Sequence, residues 1–175
     1  NVLGIYFKIQ SFTYMPSNGL IQGMRPIMSF NYGAGSKERM HETFVRSLQL
    51  VFVIMTFGML VFLAIPGPIL SLFAADAALL EIGIPALRII SISFFLSSPA
   101  VIIAGAFEAL GRGGRSLLVT VLRQLLIIPP LSFLLAPVLG LTGVWITFPI
   151  AEAVASVVSI LLYRQLMQKI SLEKK

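Results

Sequence analysis

Long uncharged runs dominate the chain. No charged residue occurs from Ser47 to Ala75, from Ile89 to Phe107 or from Gln124 to Ala151. These runs are apolar on all faces instead of alternating every second residue, which argues for helices and against strands. A helix that crosses the hydrocarbon core needs about 20 mostly apolar residues, and the spacing of breakers between the runs predicts five of them. They cover about Leu3 to Phe30, Phe44 to Ile65, Ala78 to Leu110, Ser116 to Ala136 and Leu141 to Tyr163. Pro66-Gly67-Pro68 removes backbone donors and fixes φ, so the second helix cannot continue. Gly111, Gly113 and Gly114 loosen the turn before the fourth, and Pro137 and Gly140 flank a short hairpin before the fifth. The pattern predicts an all-α fold, a polytopic transmembrane helix bundle of about five spanning helices.

Composition agrees with this reading. The chain has 175 residues, of which 57% are hydrophobic and 11% charged, where soluble domains run at about 25% charged. So little polar surface cannot coat a water-soluble particle, and the surplus apolar surface faces lipid. The net charge of +6 forms no basic stripe with interleaved aromatics, which excludes a nucleic-acid partner. There is no cysteine and a single histidine, His41, so disulfides, thiolate sites and multi-histidine metal sites are excluded and no cofactor is expected.

The basic residues instead report orientation. Of the 13, all but Lys8 and Arg88 fall on one side of the predicted topology. Lys37 and Arg39 lie in the loop after helix one, flanked by Arg25 and Arg46; Arg112, Arg115 and Arg123 follow helix three; Arg164, Lys169, Lys174 and Lys175 follow helix five. The excess marks the cytoplasmic side, which places the C-terminus inside a multi-pass cell-membrane protein. The chain opens on Asn1 and enters an apolar stretch at once, with no signal-peptide n-region. Together with the odd number of helices, this leads us to expect a fragment with at least one helix missing upstream.

Three motifs are more specific. Residues 22–35, QGMRPIMSFNYGAG, read as a helix end broken at Pro26 and turned by Gly33 and Gly35, and SKERMHETFVRSL follows. There Ser36 is a candidate N-cap with Glu38 in the first turn, opening an amphipathic entry to helix two. This pattern resembles the eighth helix of multidrug and toxic compound extrusion (MATE) transporters and the loop after it. FEALGRGGRS, residues 107–116, resembles the junction of that family's tenth and eleventh helices, and GVWITFPIAE, residues 143–152, the start of its twelfth. The resemblance covers residues 1–175 as a partial C-terminal transmembrane lobe, helices eight to twelve. It implies a two-lobe transporter whose six-helix lobes are related by a two-fold axis along the membrane normal. Small, often cationic or amphipathic compounds would bind in the cleft between lobes and be exported by antiport against a proton or sodium gradient. It also implies a missing N-terminal lobe, on the same or another chain. One departure concerns sodium: that branch of the family carries an Asp within its tenth helix, whereas Ile89 to Phe107 holds no acid.

Polar groups inside the membrane are expensive and default to pathway candidates. Gln10, Tyr14 and Asn18 fall at i, i+4 and i+8 and share one face of helix one. That face either lines a watery cleft and binds substrate or joins neighbouring helices. Lys8 and Arg88 either snorkel along their stems or line the cleft as cations. Glu152 lies 11 residues into helix five, about 16 Å down and near the midplane. Such an acid either carries a proton in coupling or pairs structurally with Lys8, Arg88 or Arg123. Glu108 is expected to pair at the surface with Arg112 or Arg115. The competing functions are a lipid-linked oligosaccharide or polysaccharide flippase of the same superfamily, which calls for more cationic cleft residues, and a non-transporting membrane fragment. A membrane enzyme is disfavoured, since no His/Asp/Glu cluster, serine-lysine dyad or metal-ligand set is present.

The topology is directly testable. A cysteine introduced at Asp76 is expected to react with an impermeant maleimide from outside, and one appended after Lys175 only from the cytoplasm. Labelling of position 76 from the cytoplasm would overturn the orientation.

Overall fold

The structure, a computed structural model, describes residues 2–73 and 76–172. Lys174 and Lys175 of the basic C-terminal cluster lie outside the described residues. The described chain is helical: α1 (Val2–Gly33), α2 (Lys37–Ala64), the short α3 (Pro66–Ser71), α4 (Ala77–Ala109), α5 (Gly113–Val121), α6 (Ile128–Leu139) and α7 (Leu141–Leu172). A π-helical turn, Leu122–Ile127, joins α5 to α6.

Several expectations need correction. Pro26 does not break the first helix: α1 runs through both Pro16 and Pro26 to Gly33, as membrane helices do where local adjustment satisfies the freed carbonyls. The turn falls at Gly35, whose φ of 73° favours glycine. Ser36 occupies the N-cap of α2 without a side-chain cap hydrogen bond; the N-cap that does bond is Asp76, whose Oδ1 accepts from the Leu79 amide at 2.8 Å. Of the loop glycines before α5 only Gly111 carries positive φ, and Gly113 and Gly114 already belong to the helix. Among the described residues four helical stretches are long and apolar enough to span: α2, α4, the continuous 113–139 unit and α7. The 32-residue α1 has the length, about 48 Å. Its run of Lys8, Gln10, Ser11, Thr13, Tyr14, Ser17, Asn18 and Gln22 keeps it out of that set. It depends on its neighbours for company that lipid cannot give.

Those neighbours gather round α4, which packs most extensively against α7 and then against α2 and α1. Lipid tails supply no hydrophobic drive between helices, so close approach over small residues takes its place. The buried stripe of α7 runs Thr147, Ala151, Ala155 and Ser159, one residue per turn. Within it Ala155 packs on Ala100 of α4, a helix that buries several other small residues. Ser156 donates its hydroxyl to the Leu96 carbonyl across this seam. Larger side chains close the ends: Phe62 sits edge-on to Phe94 at 5.5 Å, and Phe44 stacks on Tyr163 at 4.3 Å. By contrast, the π turn and α6 bury no residue. They form a thin wall held to the bundle by α7.

That wall rests on one glycine. A Cβ at Gly143 would lie 2.5 Å from the Leu135 carbonyl oxygen and 2.7 Å from its carbon, and backbone cannot yield as a side-chain tip can. Gly143→Ala is expected to destabilise the protein by about 1–3 kcal/mol, read as a lowered thermal midpoint in detergent. Gly114→Ala, which enters open space, is expected to stay within about 0.5 kcal/mol. Equal midpoints for the two variants would show that α6 does not lie this close to α7.

Candidate functional site

A cavity of about 740 Å³ opens between α1, the 113–139 unit and α7. The polar face of α1 supplies Gln10, Tyr14 and Asn18; the thin wall supplies Arg123, Gln124 and Ser132; α7 supplies Phe148 and Glu152. Tyr14 serves both roles that its position allows. Its ring edges Phe94 at 6.0 Å and its hydroxyl donates to Ser97 Oγ at 2.7 Å, which ties α1 to α4 while the residue still borders the cavity.

Glu152 is 7% exposed and its partner is Arg123. The guanidinium Nη1 donates to both carboxylate oxygens, at 3.2 Å and 3.1 Å. Of the three cations open to Glu152 by sequence, the structure selects the one that chain distance groups with the cytoplasmic loop. The reason is local. Pro129 and Pro130 lack amide donors and crowd the carbonyls four residues back, and the ladder before them widens into the π turn. Such turns gather at functional sites, and this one carries Arg123 and Gln124 into the cavity. The double proline inside an apolar run is the sequence signal that could have found this pair.

Lys8 and Arg88 are not brought in. Both are exposed and neither lines this cavity. Lys8 precedes Gln10 by two positions, about 200° round the helix, so the two cannot share a face. Glu108 forms the expected surface ion pair, but with Arg25 of α1 instead of Arg112 or Arg115, and accepts from Ser116 Oγ at 3.1 Å. Arg115 instead reaches the Leu162 carbonyl at 3.0 Å. The Arg25–Glu108 pair borders a smaller void of about 390 Å³. That void shares Tyr14, Asn18 and Arg123 with the larger cavity. Two ion pairs therefore stand along one polar track. Among the described residues no group of three His, Asp or Glu could hold a metal ion.

The arrangement of helices and motifs matches a known family. The MatE family model aligns with residues 2–134. The chain belongs to the MATE family. Over 170 residues it is 26% identical to the multidrug export protein MepA of Staphylococcus aureus (strain bovine RF122 / ET3-1), covering 97% of this chain and 37% of the relative. The fold of this MATE chain superposes on an outward-facing MATE family transporter of the MOP superfamily with a TM-score of 0.91 at 22% identity, covering 97% of this chain and 39% of that one. An inward-facing structure gives 0.89 at 21% identity, covering 94% and 39%. The MATE multidrug transporter DinF-BH gives 0.83 at 30% identity, covering 93% and 37%. The chain thus spans under two fifths of the length of these relatives. It is a multi-pass membrane protein whose relatives are transporters.

Removing one partner of a buried pair leaves an uncompensated charge, whereas neutralising both is close to neutral. Arg123→Gln is therefore expected to cost on the order of 3 kcal/mol, and the Arg123→Gln/Glu152→Gln double variant to recover most of that. The check is thermal unfolding in detergent. A double variant no more stable than the single would sink the pairing.

Proposed function

We propose that the chain is the C-terminal lobe, helices eight to twelve, of a cation-coupled exporter of small, often cationic or amphipathic compounds, with its C-terminus in the cytoplasm. The observation that carries this reading is the cavity itself. One flank presents neutral hydrogen-bonding groups from Gln10, Tyr14 and Asn18, and the other a buried carboxylate held by Arg123. A cationic substrate entering beside Glu152 competes with Arg123 for the carboxylate, and so does a proton. Either event releases the guanidinium, and a group whose partner changes with occupancy is what antiport requires. The names of the relatives support the export of drugs. The similar superposition on inward-facing and outward-facing structures supports a lobe that keeps its fold while the cleft beside it reopens. The open side of the cavity is where an N-terminal lobe would close it. That the relatives are named as exporters and transporters favours transport over catalysis. A flippase reading loses ground with Lys8 and Arg88, since Arg123, the one cation among the residues lining the cavity, is already paired.

The Arg123→Gln/Glu152→Gln variant separates coupling from scaffolding, because its stability is expected to be near that of the parent. In the full-length transporter it is expected to accumulate normally and to lose gradient-driven dye export by at least tenfold, about 1.4 kcal/mol in barrier terms. Export at the parental rate with the parental pH profile would return the pair to a purely structural role.

A further inference from the structure

A second trough is walled by α2, α4 and α7 and shares no residue with the transport cavity. It encloses about 730 Å³. Its floor is apolar, with Phe44, Leu48 and Phe52 from α2 facing Ile103 of α4 and Ile160 of α7. At one end three basic side chains converge from two helices, Lys37 and His41 from α2 and Arg164 from α7, and among the described residues no acid lines it. Lys37, His41, Phe44, Leu48 and Phe52 follow at i, i+4, i+7, i+11 and i+15, so basic head and apolar track lie on one helix face. Glu38 and Glu42 fall off that face and are exposed.

Two further observations shape the ligand. Tyr163 lines the trough and is 7% exposed. Its ring stacks on Phe44 and its hydroxyl has no hydrogen-bond partner among the described residues. The floor also continues. A void of about 360 Å³ formed by Phe52, Val53, Phe57 and Phe95 shares Phe52 with the trough. From His41 to Phe57 the helix advances 16 residues, about 24 Å, which exceeds half the hydrocarbon thickness of about 30 Å.

We propose that this trough binds an anionic phospholipid. The headgroup phosphate sits on Lys37, His41 and Arg164, and one acyl chain lies along Phe44, Leu48 and Phe52. Lys37 donates one hydrogen bond to the Ile170 carbonyl at 3.0 Å and keeps two donors for the phosphate. A lipid bridging Lys37 and Arg164 fastens the start of α2 to the end of α7. The site depends only on residence in a membrane, and it stands whether or not the transport reading does.

Native mass spectrometry of the purified protein, titrated with phosphatidylglycerol or phosphatidylcholine, tests it. The parent is expected to retain one phosphatidylglycerol at least tenfold better than phosphatidylcholine. Arg164→Gln, at an exposed position, is expected to lose most of that preference, and Lys37→Gln/His41→Gln/Arg164→Gln all of it. Leu48→Trp, which fills the floor and leaves the cations in place, is expected to weaken phosphatidylglycerol retention as well. Equal retention of the two lipids, or a preference that survives the triple variant, overturns the proposal. So does full retention in Leu48→Trp with competition by inorganic phosphate, since that outcome marks a phosphate site with no acyl track.

Discussion

Backbone-to-backbone approach of α4 and α7 is the contact on which the rest of the structure depends. In lipid, leucine on one helix gains nothing by meeting leucine on another, so contact must come from packing density and from polar groups that lipid cannot satisfy. The Thr147, Ala151, Ala155 and Ser159 stripe lets α7 settle against α4, and the Ser156 hydrogen bond to Leu96 fixes its depth. The candidate site is referred to that seam. Glu152 rides on α7 beside the stripe, Tyr14 docks on α4 through Ser97, and the thin α5–α6 wall reaches the bundle mainly through α7.

Much of the fold was legible because bilayer physics leaves few options. Backbone groups in hydrocarbon must be satisfied within the element, so uncharged runs of sufficient length could only be helices, and proline and glycine had to mark their ends. The reading of Pro26 as a break has a clear origin. Pro26 sits inside α1, whereas Pro66 begins a helix. A rule taken from soluble proteins overstates what a single proline does where neighbouring helices can absorb the damage. Proline pairs are different: Pro129–Pro130 changed the ladder itself and produced the π turn.

The site was legible in part. Periodicity placed Gln10, Tyr14 and Asn18 on one face, and scarcity singled out Glu152. What sequence could not resolve was which cation Glu152 would meet. Lys8, Arg88 and Arg123 are equally cationic on paper, and the choice rests on rotation about helix axes that only the π turn settles. Counting Arg123 with the loop arginines was reasonable by distance along the chain and wrong by angle. Glu108 made its surface pair with a partner the sequence did not suggest, because proximity to Arg112 and Arg115 gave no hint that α1 would bring Arg25 closer.

The π turn also has a meaning on the scale of descent. A turn closed by i→i+5 bonds holds one residue more than an α turn, so the stretch 122–127 carries a surplus that the surrounding helix does not need. Loss of a single residue there would leave a regular helix whose flanking segments keep their phase, because the wider turn absorbs the surplus, and would move only side chains within the turn by about 100°. Insertions and deletions are usually expected in loops. In this chain the fold could absorb one in the middle of a membrane helix, where a change of one codon would swing Arg123 away from its carboxylate.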